Sequence, residues 1–118
     1  MALRILVAED ELITAIDLCN TFEEAGYEVE GPHSGISSTM LACQKQKPDL
    51  AVLDIELADG LTYELARKLL GDNVPVILHS AGAEALGMAA RFPGATMLAK
   101  PCPPAKLLDI VNQVLCPV

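Results

Sequence analysis

The sequence predicts an α/β domain built on a parallel sheet, and three observations carry that prediction. Short apolar runs of four to six residues alternate with segments of helical periodicity along the whole chain. The runs are continuous rather than alternating, which is the pattern of strands buried on both faces. Four of them also end in reactive side chains: Leu3 to Ala8 runs into Glu9 and Asp10, Leu50 to Leu53 into Asp54, Val74 to Leu78 into His79 and Ser80, and Thr96 to Ala99 into Lys100. In open parallel sheets, ligands bind beyond the carboxyl ends of the strands.

Taken in order, the chain reads as five strands and five helices. After the first strand, Leu12, Ala15, Ile16, Cys19 and Phe22 recur at three- and four-residue spacing, and Gly26 closes that helix as a C′ glycine. Tyr27 to Glu30 forms a short second strand. Ser34 to Gln46 carries Ile36, Met40, Leu41 and Cys43 as a modest apolar stripe and ends before Pro48. Beyond Asp54, a loop containing Asp59-Gly60 leads to a third helix marked by Leu65, Ala66, Leu69 and Leu70, which Gly71 and Asp72-Asn73 terminate. Ala83 to Phe92 is an Ala-rich helix with weak apolar anchorage, and Gly87 inside it costs roughly 1 kcal/mol. Pro103 and Pro104 suit the opening of a last helix, whose buried face is Leu107, Leu108, Ile110, Val111, Val114 and Leu115.

At 118 residues the chain is one ordinary domain, 1–118, with no linker, repeat or second unit expected. Cys19, Cys43, Cys102 and Cys116 lie far apart with neither a C-x-x-C pair nor zinc-finger spacing, so they read as idle thiols of a reducing compartment. No leader-like segment or bilayer-length apolar run is visible, which points to a cytoplasmic protein with no membrane partner. Sixteen acidic against eight basic residues give a formal charge of −8, which repels phosphate backbones and argues against nucleic acid as a partner. The four aromatics, Phe22, Tyr27, Tyr63 and Phe92, form no basic stacking platform.

The strand ends bring together three carboxylates, a hydroxyl and an ammonium. Like charges a few ångströms apart repel by about 4 kcal/mol at an effective dielectric of 20, so the cluster calls for a cation, a raised pKa or both. Mg²⁺ suits such hard oxygen donors. An aspartate so placed is arranged less as a general base than as a nucleophile toward a phosphoryl group. Such transfer needs positioning and charge neutralisation: the metal, Lys100 as a cation opposite it, and Ser80 as a hydrogen-bond donor. Singly, each residue has a plainer reading: Glu9-Asp10 as helix-end acids, Asp54 as a turn residue, Ser80 as a cap, Lys100 as a solvated charge. Their joint placement favours the site. Alternation turns His79 away from Ser80, as a structural or interfacial histidine. His33 reads as a solvated loop residue, and Met40, Met88 and Met97 as packing.

These motifs, in this order, resemble the receiver domains of two-component response regulators over essentially the full length. The family has an acidic pair after its first strand, matched by Glu9-Asp10, a phosphoacceptor after its third, matched by Asp54, a Ser or Thr after its fourth, matched by Ser80, and Lys-Pro after its fifth, matched by Lys100-Pro101. The resemblance implies a flavodoxin-like, doubly wound (βα)5 fold with strand order 2-1-3-4-5 and helices on both faces. It implies that Asp10 and Asp54 bind Mg²⁺ through carboxylates, Glu56 through its backbone carbonyl and Glu9 through water. The small Ala81 leaves room for a phosphoryl group, and the Lys-Pro bond is usually cis in the family. A sensor histidine kinase or histidine phosphotransfer protein would supply phosphate, and a monomeric, stand-alone response regulator would signal through contact with a downstream protein or pass phosphate on in a relay. Such a chain is a regulatory phosphoacceptor rather than an enzyme, although it can catalyse its own phosphotransfer and autodephosphorylation. Two departures stand out: Met97 occupies the place of a frequent aromatic switch residue, and the loop after Asp54 is short, with Ala58 where Pro is common.

Other readings make different demands. A small Mg²⁺-dependent aspartyl-phosphate phosphatase or phosphotransferase usually carries a second Asp two residues after the nucleophile, where this chain has Glu56, and no cap insertion is visible. A phosphate-independent pseudo-receiver adaptor would not need the intact acidic pair, Asp54 and Lys100. A flavodoxin-like nucleotide binder lacks its glycine-rich first loop.

Overall fold

The computed structural model describes residues 2–80, 91–100 and 102–115. Strand β1 (Arg4–Ala8) leads into α1 (Leu12–Glu24), followed by β2 (Glu28–His33), α2 (Ile36–Lys45) and β3 (Leu50–Asp54). A two-stranded hairpin, β4 (Glu56–Leu57) and β5 (Gly60–Leu61), precedes α3 (Tyr63–Gly71). Then come β6 (Val76–Ser80), β7 (Thr96–Ala99) and α4 (Pro104–Leu115). The main sheet is parallel, in the order β2-β1-β3-β6-β7. With the hairpin set aside, this is the expected order 2-1-3-4-5. The expected helix from Ala83 falls, up to residue 90, outside the described residues, as do Ala81, Met88, Pro101 with its peptide bond, and Cys116.

Continuous apolar strands require cover on both faces, and alternation divides their side chains between two cores. Leu6, Ala8, Ala51, Leu53, Val76 and Leu78 face α2 and α3, joined by Leu65, Leu69 and Phe92. Ile5, Val7, Leu50, Val52 and Ile77 face α1 and α4, joined by Leu18, Phe22, Leu107 and Val111. Met40 and Met97 pack against the first core, as expected of gap-filling residues. Cys19, Cys43 and Cys102 are free thiols. Among the described residues, no helix is long and apolar enough to cross a membrane.

Several expectations shift. The buried stripe of α1 is Ala15, Leu18, Cys19 and Phe22, while Leu12 and Ile16 are exposed. One residue turns a helix by about 100°, so a stripe judged from spacing alone can settle one position off. Leu41, assigned to the stripe of α2, is also exposed. β2 runs on to His33, which is therefore a strand residue rather than a solvated loop residue: its Nε2 lies 2.9 Å from Glu30 Oε2 and its Nδ1 3.2 Å from Ser38 Oγ. The loop after Asp54 is short because it is a hairpin closed on Ala58 and Asp59.

The extension of β2 supports the site. The β1–β2 register shifts between Leu6 and Ala8, and the Glu9 amide donates to the His33 carbonyl at 2.9 Å. The peptide between Gly31 and Pro32 is cis, and Gly31 has φ +124°. A Cβ on Gly31 would lie 2.6 Å from the Val7 carbonyl oxygen, closer than a carbon can sit. Gly26 has φ +94° with no heavy atom within 4 Å of such a Cβ. Gly26→Ala is expected to cost only the left-handed backbone, roughly 1–2 kcal/mol. Gly31→Ala is expected to cost clearly more in urea denaturation, because backbone must also move; equal losses would remove the steric role of the Val7 contact.

Candidate functional site

β1, β3 and β6 are neighbours in register, with Ala8 opposite Leu53, Leu53 opposite Leu78, and Asp54 opposite His79. The chain therefore leaves β1 at Glu9 beside the end of β3 at Asp54. β7 is in register with β6 through Ser80 and Ala99, and the Lys100 amide donates to the Ser80 carbonyl at 2.9 Å. That bond carries the strand pairing one residue further and delivers Lys100 to the same end of the sheet.

The Lys100 ammonium bridges two carboxylates, with Nζ 2.7 Å from Glu9 Oε1 and 2.8 Å from Asp54 Oδ2. Glu9 is almost wholly buried, with its side chain 1% exposed, against 14% for Asp54 and 19% for Lys100. Asp10 is exposed and completes a group of three carboxylates whose ligand atoms all lie within 4.8 Å of one another. Ser80 is buried at the end of β6. Glu56 is exposed, and its amide reaches Asp54 Oδ1 at 3.5 Å, the outer limit of a hydrogen bond. Five of the six anticipated residues thus gather at one end of the sheet, and Glu56 stands at the start of the adjoining hairpin.

Burial divides the proton between the carboxylates. It pushes Glu9 up to about 8, the neighbouring Asp54 carboxylate adds to the rise, and Lys100 opposes it. Burial also works to raise Asp54, yet the adjacent Glu9 carboxyl and the bond and charge of Lys100 hold it below the usual carboxylate range. Lys100 is raised: burial disfavours its charge, but its bonds to Asp54 and Glu9 outweigh that. The pair therefore tends to hold one proton, favoured on Glu9 by its burial, and one negative charge, favoured on Asp54 by the ammonium.

The donor set fits a hard divalent cation. All three groups are carboxylates, and the buried Glu9 Oε2 has no hydrogen-bond partner among the described residues, so it is open to a further donor or to water on an ion. Asp10, being exposed, leaves a route for the ion and its water.

His79 lies on the opposite side of the sheet from the first core, as alternation predicts. It is 4% exposed, lines a cavity of about 770 Å³ between α1 and α4, and neither ring nitrogen has a partner among the described residues. Burial, then the charge of Lys100, lowers it to about 4, so it stays neutral.

Two neighbours of the site left no sequence signal. Thr62, fully buried, donates its hydroxyl to the carbonyls of Asp54 at 2.8 Å and Ile55 at 3.0 Å. Asp59 caps α2, with Oδ1 accepting from the Ile36 amide at 2.6 Å and Oδ2 from Ser37 at 3.3 Å, and these bonds hold its carboxyl below the usual range. A threonine just before a helix and an aspartate before a glycine read simply as a cap and a turn.

The response regulator receiver domain family matches residues 5–112. The chain is 34% identical over 118 residues to the phyllosphere-induced regulator PhyR of Methylorubrum extorquens, covering 98% of this chain and 44% of PhyR. It is 25% identical to the chemotaxis protein CheY of Thermotoga maritima, covering 97% of this chain and 98% of CheY. The non-phosphorylated HemR receiver domain from Leptospira biflexa superposes with a TM-score of 0.84 at 26% identity, covering 98% of this chain and 96% of that one. The chain thus spans less than half the length of PhyR and nearly all of CheY. With a doubly wound fold and an acidic cluster at the ends of its strands, the chain belongs to the response regulator receiver domain family.

Proposed function

We propose that Asp54 is the phosphoacceptor of this receiver domain, taking a phosphoryl group from a phosphohistidine on a kinase or phosphotransfer protein and signalling through a change in protein contacts. The observation that carries the reading is the Lys100 ammonium bridging Asp54 and a buried Glu9. An Asp54 oxygen attacks phosphorus, the P–O bond forms as the P–N bond of the donor breaks, and the departing imidazole takes up a proton. The low pKa of Asp54 keeps the nucleophile ionised.

Lys100 then meets the new phosphoryl oxygens as the cation nearest the acceptor, and the Ser80 hydroxyl, at the end of the adjacent strand, donates to another. Asp10, Asp54 and the backbone carbonyl of Glu56 would hold Mg²⁺, with Glu9 acting through water. When bound, that ion neutralises charge on the moving oxygens. Signalling by partner contact, with relay as a variant, is the output this reading assigns to the domain. The placement of Met97 against the core favours a switch that does not depend on an inward-turning ring at that position.

Incubation with Mg²⁺ and a small acyl phosphate or phosphoramidate is expected to add one phosphate by mass spectrometry, and Asp54→Asn to add none. Labelling of the variant would move the acceptor elsewhere, and turnover of sugar phosphates would favour a metabolic phosphatase.

Mg²⁺ alone is expected to raise thermal stability, by about 2.7 kcal/mol at a hundred times its dissociation constant. Asp10→Asn should lose most of that response; an unchanged response would take Asp10 out of the site.

The proton on Glu9 makes stability fall with rising pH. Its pKa is 4.5 ordinarily and about 8 in the fold, so the folded chain keeps a proton that the unfolded chain has released. Its contribution is complete below the lower value and is lost as pH rises through the higher one. His79, lowered from 6.5 to about 4, has the opposite slope, but only below 6.5. Urea denaturation without Mg²⁺ should therefore show a loss of stability between pH 6.5 and 8 that Glu9→Gln flattens. Parallel curves for the two proteins would place that proton elsewhere.

A further inference from the structure

We propose that Thr62 is a positioning residue for the phosphoacceptor, fixing the two peptide groups that follow Asp54; this rests on the reading of Asp54 given above. Threonine at the position before a helix ordinarily accepts an amide of the first turn. Thr62 stands at that position ahead of α3, yet its side chain caps nothing there. Its hydroxyl has a single proton, and that proton is shared between the Asp54 carbonyl at 2.8 Å and the Ile55 carbonyl at 3.0 Å. The Thr62 amide donates to the same Ile55 carbonyl at 2.9 Å. One fully buried residue thus holds the main chain on both sides of residue 55.

The consequence reaches the carboxylates through the backbone. Asp54 lies at the last position of β3, and Glu56 opens the hairpin immediately beyond. The peptide groups between them set both where the Asp54 side chain leaves the strand and how the main chain of Glu56 is presented. β4 and β5 are only two residues each, too little pairing to fix that turn alone. Asp59 secures the far end of the hairpin to α2, and Thr62 secures the near end to the acceptor. Without the Thr62 hydroxyl, Asp54 keeps its place in the sheet but loses a fixed orientation toward Glu9 and Asp10.

Thr39 offers a matched control. It is equally buried, and its hydroxyl donates to the Gly35 carbonyl at 2.7 Å, within α2 and its cap. Thr62→Val removes the hydroxyl and keeps the shape; Thr62→Ser keeps the hydroxyl; Thr39→Val removes an equivalent bond in α2. The measurements are the Mg²⁺ dissociation constant, the rate of phosphorylation by phosphoramidate, and stability without metal. Both valine variants should lose stability. Only Thr62→Val should also bind Mg²⁺ roughly 10- to 100-fold more weakly and take up phosphate more slowly, with Thr62→Ser near wild type. Wild-type affinity and rate in Thr62→Val, or equal losses in Thr39→Val, would overturn the proposal. Should Thr62→Val fail to fold, Thr62→Cys, with its weaker S–H donor, is expected to give an intermediate affinity, and a wild-type value would overturn the proposal in the same way. A wild-type protein that neither binds Mg²⁺ nor accepts phosphate overturns the reading of Asp54 as well, and is told apart because it needs no variant.

Discussion

Three carboxylates packed at the ends of two central strands are the constraint on which the rest of the molecule depends. Burial makes their mutual repulsion costly, because the Glu9 side chain is almost wholly removed from bulk solvent. Two devices offset that cost: a lysine brought in from the last strand, and a proton retained on Glu9. Each relies on remote structure. Lys100 reaches the site because β7 pairs with β6 through the last residue of each strand, and Glu9 is held because the far end of β2 accepts its amide. The parallel sheet thus serves less as a surface than as a means of delivering side chains, from segments up to 91 residues apart, to one place.

That dependence explains why the site was legible in the sequence. Parallel strands buried on both faces tolerate only apolar side chains, so the first ionisable residue after each run marks the strand's end. Glu9, Asp54 and Lys100 follow this rule, Asp10 and Ser80 stand one residue beyond such a marker, and the strand order is what their convergence requires. Elements lacking such a marker were read less well. Leu12, Ile13 and Ile16 leave α1 with an exposed apolar flank, and spacing alone placed two of them in the core. β2 interrupts its apolar character with Gly31 and Pro32, so its extension to His33 was not apparent. The hairpin strands, at two residues each, are too short for any periodicity.

Thr62 was hidden for a different reason. Its type and position suit a helix cap so well that nothing invites another reading; only the direction of its hydroxyl shows that it serves the strand behind it. His79 presents the converse case. Its type suggests proton transfer, whereas burial, with neither ring nitrogen partnered among the described residues, keeps it neutral beside Lys100. A charged imidazole there would set a second cation beside the ammonium and compete for the same carboxylates. An uncharged ring leaves Lys100 as the cation bridging Glu9 and Asp54.

The balance of charge also indicates how the site can respond to a new anion. With Glu9 protonated and Asp54 paired with Lys100, the buried part of the cluster is close to neutral, and the exposed Asp10 keeps most of its charge in water. A phosphoryl group on Asp54 would add negative charge where one ammonium already bridges two acceptors. The Lys100 ammonium has three N–H donors, two of them committed to Glu9 and Asp54 at 2.7 and 2.8 Å, so it can meet a phosphoryl oxygen with the third or by giving up one of these bonds. The bond to Glu9 is the readier one to give up, because burial favours the protonated, weaker-accepting form of that carboxyl. Lys100 follows Ala99 directly and its amide donates to Ser80, so the residue that carries the ammonium also closes the pairing of β6 with β7. A change of charge at Asp54 would then have a route to the outer edge of the sheet through one side chain and one main-chain hydrogen bond, with no aromatic ring required.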